Sequence, residues 1–316
     1  MFRGIAFAIG ACFIWGLIFV VPQFMNGFST IEIALGRYLF YGVISTLIFC
    51  KLRIQGKCKH SLTIWKKAIG FSLISTMGYY ICVVLALRYS TPTICALVLG
   101  FSPIAIAFYG NWKQREVTFR SLVIPSVFTL LGLVIINIPH FEKNAYISSY
   151  VLGLVFSFLA LLAWSWYVVA NSKFLKKYPE VSSFDWSTMI GVSTMYWVIA
   201  FTIFLSLFFK NQLQITTYFT FSLDLKRFLI GSAILGILCS WVGAFLWNKA
   251  SLYLPVSLAG QLTVFETIFG VLFSYIIVRQ LPSILETLGV LIFLIAIIYG
   301  TGQFAKKLFF NKKTVH

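Results

Sequence analysis

The chain has 316 residues, 60% of them hydrophobic and 10% charged, with mean hydropathy +0.93. An ordinary soluble domain carries about 25% charge, so this composition excludes one and reads as a polytopic membrane protein. The formal net charge is +17, but the basic residues fall between apolar runs, which excludes a nucleic-acid surface and makes them topology signals and contacts to anionic lipid headgroups.

Ten apolar segments follow one another at 3–21, 31–50, 66–87, 92–111, 119–138, 149–171, 186–209, 228–248, 255–278 and 283–303. Lipid satisfies no backbone polar group, so each is expected to be a helix, and the fold class is an all-α bundle of ten transmembrane helices. The first segment runs from MFRGIAF straight into a full span without an A-x-A site, so no cleavable signal peptide is expected. Of the six cysteines, Cys12, Cys50, Cys58, Cys82, Cys95 and Cys239, only Cys58 lies clearly in a loop. With no C-x-x-C pair they read as small apolar residues, and neither a disulfide framework nor a metal or other cofactor is expected.

Lysine and arginine in the connections give the orientation. Eighteen lie on the side of the N-terminus, 51–67, 112–120, 172–185, Lys249 and the tail, and six on the other. Arg37 lies inside a span. The bias places both termini in the cytoplasm, and it agrees with an even number of spans. Five spans per half is an odd number, so the halves, 1–145 and 146–316, are expected to insert upside down relative to each other. Gly4, Phe7, Trp15 and Val20 match Gly153, Phe156, Trp164 and Val169 at an offset of 149. Phe101, Ile104 and Arg115 match Phe265, Ile268 and Arg279 at an offset of 164, with Ser102 standing where Glu266 stands. Inverted repeats with a site at their interface are a secondary-transporter plan.

Glu266 is the one carboxylate near the middle of a span. A charge there costs about 2.5–3.5 kcal/mol on insertion scales, so it marks a functional site by default. It is a candidate for binding a substrate ammonium or carrying a coupling proton; the alternative is a structural bond to a neighbouring helix. Arg37 lies ~9 Å into its span. It could grip a substrate carboxylate with its planar fork, or it could lock the bundle by pairing with Glu32 or helix-end carbonyls. Gln261, on another face from Glu266, is a candidate hydrogen-bond donor to substrate. Trp15, Tyr79, Tyr80, Trp164, Tyr167 and Trp241 sit closer to span middles than an interfacial belt would, and are candidates for the walls of a cavity. The pairs Gly236/Ser240 and Ala96/Gly100 read as close helix packing. Asn248 and Lys249 fit either a cytoplasmic mouth or a snorkelling end.

His60, His140 and His316 all fall outside the spans, and no aspartate falls clearly inside one, Asp185 being at an edge. That argues against an intramembrane zinc, haem or Ser-His site and against an aspartyl protease. No P-loop is present, so nucleotide hydrolysis is not expected. Polar residues of cavity type without a catalytic constellation point to transport rather than to an enzyme.

WGLIFVVPQFMNGFSTIEIALGRYLFYGVISTLI, with its Trp-Gly pair, short loop and Arg37 in the second helix, resembles the opening of an EamA-type member of the drug/metabolite transporter superfamily. FSPIAIAFYGNWKQREVTFRSLVIPSVFTLLGLVII, with Glu116 in its loop, resembles the end of a first repeat, and VFETIFGVLFSYIIVRQLPSILETLGVLIFLIAII the end of a second. The resemblance covers nearly the whole chain. It implies ten helices with cytoplasmic termini, alternating access around a central cavity, and a small-molecule substrate. Members export amino acids or other metabolites, and some take up small solutes. Glu266-Thr267 replaces a usual Glu-Pro, so a softer helix break is expected there, and Gln280 replaces a loop carboxylate.

The reading is therefore a secondary transporter in a bacterial inner membrane, with protons as a candidate coupling ion. Amino-acid export comes first, because one cation and one anion suit a zwitterion. Uptake of sugars or other small solutes is the runner-up, and a membrane enzyme or receptor the third. The sequence fits a monomer or a homodimer alike.

Overall fold

A computed structural model describes residues 1–56, 60–90, 92–138, 147–208, 222–279 and 283–313. Cys58, His140, Gln280 and His316, and the boundary between 145 and 146, lie outside the described residues. Among the described residues ten helices are long and apolar enough to cross a membrane: α1 Phe2–Phe24, α2 Thr30–Ile54, α3 Leu62–Tyr89, α4 Cys95–Gln114, α5 Phe119–Asn137, α6 Val151–Lys177, α7 Ser183–Phe208, α8 Leu223–Tyr253, α9 Val256–Ile277 and α10 Ile284–Phe304. The protein is thus an all-α polytopic membrane protein, with the expected segments found in the expected order. The end of the bundle that carries the termini and most of the basic loops is called the basic end below, and the other the far end.

Helix starts are written in the sequence. Ser29 and Glu32 close a capping box on α2: the Glu32 carboxylate accepts from the Ser29 amide at 2.8 Å, and the Ser29 hydroxyl accepts from the Glu32 amide at 3.3 Å. Ser283 and Glu286 repeat the device on α10 at 2.8 and 3.3 Å. Ser182 and Asp185 form a similar cap at α7. Each satisfies amides that a helix leaves open at its first turn.

The two halves of the chain interleave. α1 packs on α8 and α9, while α6 packs on α3 and α4. α2 packs on α7 and α8, α7 on α3, α4 on α9, and α5 on α10. Small residues let the backbones meet, as in other membrane bundles. A Cβ at Gly132 of α5 would come 2.7 Å from Phe293 and 2.9 Å from the Gly289 carbonyl of α10.

Among the described residues, α1 tightens to 3-10 geometry over Leu17–Phe19 and Val21–Phe24, and four more helices depart from the regular α form. α3 is π-helical over Leu73–Gly78 and α8 over Ile234–Val242. α4 breaks between Leu99 and Ser102. α9 breaks at Thr263, whose amide donates to Gly260 at 3.2 Å. The replacement of Glu-Pro by Glu266-Thr267 therefore does not erase the break; it falls three residues before Glu266. Such irregular stretches are tolerated at membrane depth where they are buried in protein or line a cavity, and π segments cluster at functional sites.

Candidate functional site

The irregular stretches of α3, α8 and α9 converge with α1, α2 and α6 on one place. Glu266 occupies the first turn of the second half of α9, where the positive end of a helix favours a carboxylate. The groups in electrostatic reach of it are Arg37 of α2, Tyr79 of α3, Cys12 of α1 and Cys239 of α8, so the side chain faces the bundle interior. It is half-buried, and among the described residues its carboxylate has neither a hydrogen-bond nor an ion-pair partner.

Arg37 is aimed by the π segment of α8. Its Nε donates to Ser240 Oγ at 2.9 Å, and Ser240 in turn donates to the Leu235 carbonyl at 3.0 Å, five residues back. The hydroxyl has one proton, so the bond to Leu235 leaves its lone pairs for Arg37. The guanidinium carbon stands 5.3 Å from the centre of the Tyr38 ring. Among the described residues Arg37 forms no ion pair, and its terminal nitrogens have no partner. Glu32, weighed as its partner, is engaged in the α2 cap.

Aromatic rings stand beside this pair of charges. Trp15 and Trp164, the residues matched at offset 149, meet edge to face at 5.8 Å. Trp164 lies 5.8 Å from Tyr79 and 5.5 Å from Tyr167. Trp15 Nε1 donates to the Cys239 carbonyl at 2.9 Å, using an acceptor in the π segment. A Cβ at residue 243 would come 2.5 Å from that nitrogen, so Gly243 makes room for the ring. Tyr79 and Tyr167 have no hydrogen-bond partner for their hydroxyls among the described residues.

The other candidates lie elsewhere. Gln261 is 7% exposed, and its amide lies against Gly300 of α10, with no partner for either polar atom. Trp241 donates to Thr188 at 3.3 Å and packs on Phe184 and Phe245. Tyr80 donates to the Thr30 carbonyl and lines a far-end cavity of about 490 Å³ between α2, α3 and α7, shared with Ser29, Arg88, Phe201 and Leu205. Asn248 is buried in this structure, donating to Ser187 and accepting from Asn171, both at 2.8 Å.

Sequence reading missed Ser240 as the residue that orients Arg37, because a Gly-x-x-x-Ser pair reads as packing. Gly236 does pack, its backbone facing the Arg37 carbonyl at 2.5 Å from where a Cβ would be. Chemically, the site offers an anion, a cation and two phenols without partners, beside aromatic faces. No group of three or more His, Cys, Asp or Glu among the described residues is placed to hold a metal ion.

The EamA-like transporter family matches residues 2–138 and 151–300. The chain is 26% identical over 322 residues to the inner membrane protein YtfF of Escherichia coli K12, covering 94% of each chain. A solved crystal structure superposes with a TM-score of 0.74 at 15% identity, over 94% of this chain and 98% of the other, which shows a shared fold.

Proposed function

Because the chain belongs to the EamA-like transporter family and is a membrane transporter, we propose that it is a secondary carrier of small polar or amphipathic metabolites, working by alternating access. The observation that carries this is the convergence at mid-bundle of polar groups without partners. A charge left unpaired at membrane depth is costly, so a bundle that merely needed stability would pair Glu266 or replace it. A ligand that enters and leaves accounts for a carboxylate and a guanidinium kept without partners at mid-bundle.

Zwitterionic amino acids fit best, with the ammonium on Glu266, the carboxylate on the terminal nitrogens of Arg37, and an apolar or aromatic side chain against Trp15, Trp164 and Tyr167. Arg37 suits this role because Ser240 binds only its Nε, leaving a planar pair of donors. Export is the direction favoured by the family resemblance. Protons remain a candidate driver through Glu266.

The plan of two inverted five-helix halves, 1–145 and 146–316, belongs to the same proposal. It is supported by the exchange of pairings: α1 on α8 and α9 is answered by α6 on α3 and α4. The excess of basic residues supports cytoplasmic termini, and the E. coli relative supports a bacterial inner membrane.

Counterflow in proteoliposomes preloaded with mixed amino acids tests the reading, with wild type beside Glu266→Gln. Counterflow that collapses in the variant is the expected result. Counterflow that survives removes Glu266 from the path. No counterflow with amino acids but activity with sugars replaces the substrate class, and none with any solute overturns transport by this site.

A further inference from the structure

At the basic end, one carboxylate ties the two halves together. Glu116, in the connection between α4 and α5, receives the Val256 amide at 2.6 Å and the Ser257 amide at 2.7 Å, one on each oxygen. These amides open α9, where the helix leaves donors without internal partners and concentrates positive charge. The loop is braced for the task. Asn111 bonds Val117 in both directions at 2.8 Å, its Nδ2 donating to the carbonyl and its Oδ1 accepting from the amide. Beside it, Lys176 Nζ donates to the Leu254 carbonyl at 3.0 Å, and Ser172 Oγ to the Ser251 carbonyl at 3.3 Å. Below the clamp α4 and α9 touch without room for a side chain: a Cβ at Gly110 would stand 2.7 Å from Val256, and one at Gly260 2.6 Å from Ile106.

A second, independent observation lies just inside. Ser257 and Gln261, one turn apart on α9, are buried with Oγ, Oε1 and Nε2 all lacking a partner. Gln114 Nε2, two residues before Glu116, is in the same condition. Polar atoms buried without partners raise the energy of the state that buries them, and water reaching them would relieve it. They lie within two turns of the Glu116 contact, at the basic end of α9 and α4. A cavity of about 490 Å³ lies at the far end, and one of about 340 Å³ lies at the basic end on the outer side of the same loop, against Asn111, Trp112 and Arg115.

We propose that Glu116 is the latch of the basic-end gate and a positioning residue of the transport cycle, and that Ser257 and Gln261 line the passage its release opens. The inference rests on the alternating-access reading. The structure is then the basic-end-closed state. Opening transfers the amides of Val256 and Ser257 from Glu116 to water, which also reaches Ser257 Oγ and Gln261. A two-state carrier must then close its far end as the basic end opens, so the two ends respond with opposite sign.

The test needs no substrate, so a wrong substrate class leaves it intact. The native cysteines are replaced and single reporters are introduced as Ser257→Cys, read in everted membrane vesicles, or, in the far-end cavity, Ile81→Cys, read in right-side-out vesicles. Each reporter is treated with a membrane-impermeant maleimide from its own side. Glu116→Gln is expected to raise labelling at 257 about tenfold and to slow labelling at 81, the signature of a shifted two-state equilibrium. Faster labelling at 257 with no slowing at 81 means a locally frayed loop and overturns the latch; unchanged labelling at 257 overturns it too. If the cysteine-free background fails to fold, hydrogen exchange on the native chain in nanodiscs replaces it. Glu116→Ala should then speed exchange in 254–262 about tenfold and protect the peptide over Ile81–Leu87; exchange unchanged in 254–262, or faster in both regions, overturns the proposal.

Discussion

α4 and α9 share a break and an ending, and differ at the position that carries the charge of the candidate site. Both break after their first two turns, at Leu99–Ser102 and at Thr263. Both end on an arginine in the left-handed conformation, Arg115 with φ 49° and Arg279 with φ 55°, separated by the same 164 residues that align their sequences. They pack on each other. At the matched position, however, α4 carries Ser102, whose hydroxyl donates to the Leu99 carbonyl at 2.5 Å, while α9 carries Glu266, whose carboxylate has no partner among the described residues. The break is therefore a property of the scaffold, present in both helices. The charge was placed in only one.

The largest expected effect breaks that comparison most directly. Removing one member of a desolvated charge pair costs about 2–5 kcal/mol, so Glu266→Gln should lower amino-acid counterflow by at least about 30-fold. Ser102→Ala, which removes a hydroxyl bonded only within its own helix, should stay within about twofold of wild type. Equal losses in the two variants would mean that the break, and not the charge, is what transport needs.

Arg37 sharpens the contrast from the other side of the site. Arg37→Lys keeps the charge but loses either the bond to Ser240 or the paired donors, because an ammonium cannot serve both. A hydrogen bond to a charged group is worth about 1.5–3 kcal/mol, so counterflow should fall about 10- to 100-fold. Ser240→Ala should show the lower end of that range, since the guanidinium survives unaimed. A Ser240→Ala variant with full activity would leave the π segment of α8 without a role in holding Arg37.

The third test compares two tryptophans that look alike in sequence. Trp164 touches Trp15, Tyr79 and Tyr167, whereas Trp241 packs against α7. An aromatic contact is worth about 0.5–1.5 kcal/mol, so Trp164→Leu should weaken counterflow of an aromatic amino acid by about 2- to 10-fold. Trp241→Phe should leave counterflow within about twofold and lower the thermal midpoint slightly, through the lost bond to Thr188.

What the sequence made legible was whatever membrane physics enforces locally. Apolar runs must be helices, so the ten spans and their order could be read. Serine followed three residues on by an acid marks a cap, at Ser29 and again at Ser283. Glu266 and Arg37 stood out because charge inside a span is rare. The direction in which a side chain leaves its helix was not legible. Trp241 and Trp15 are both mid-span tryptophans, but Trp15 is turned inward by a carbonyl in the π segment of a helix 224 residues away in sequence. Hydropathy carries no trace of a π segment, so neither the Cys239 carbonyl nor Ser240 could be recognised as part of the site.

Gln261 provides the smallest and most pointed test, because its placement separates sequence logic from structure. By type and depth it belongs with the substrate, one and a half turns before Glu266. Its amide instead lies against Gly300 of α10, buried at 7% exposure and bonded to nothing described. Leucine is close to it in volume and removes both unpartnered atoms. Deleting a buried polar group that makes no hydrogen bond is neutral or stabilising by up to about 1 kcal/mol, so Gln261→Leu should hold or raise the thermal midpoint. Half-saturation for substrate presented at the far end should stay within about twofold, since no bond to substrate is lost. A loss of affinity would return Gln261 to the binding site and require the first half of α9 to turn toward Glu266 when substrate is bound.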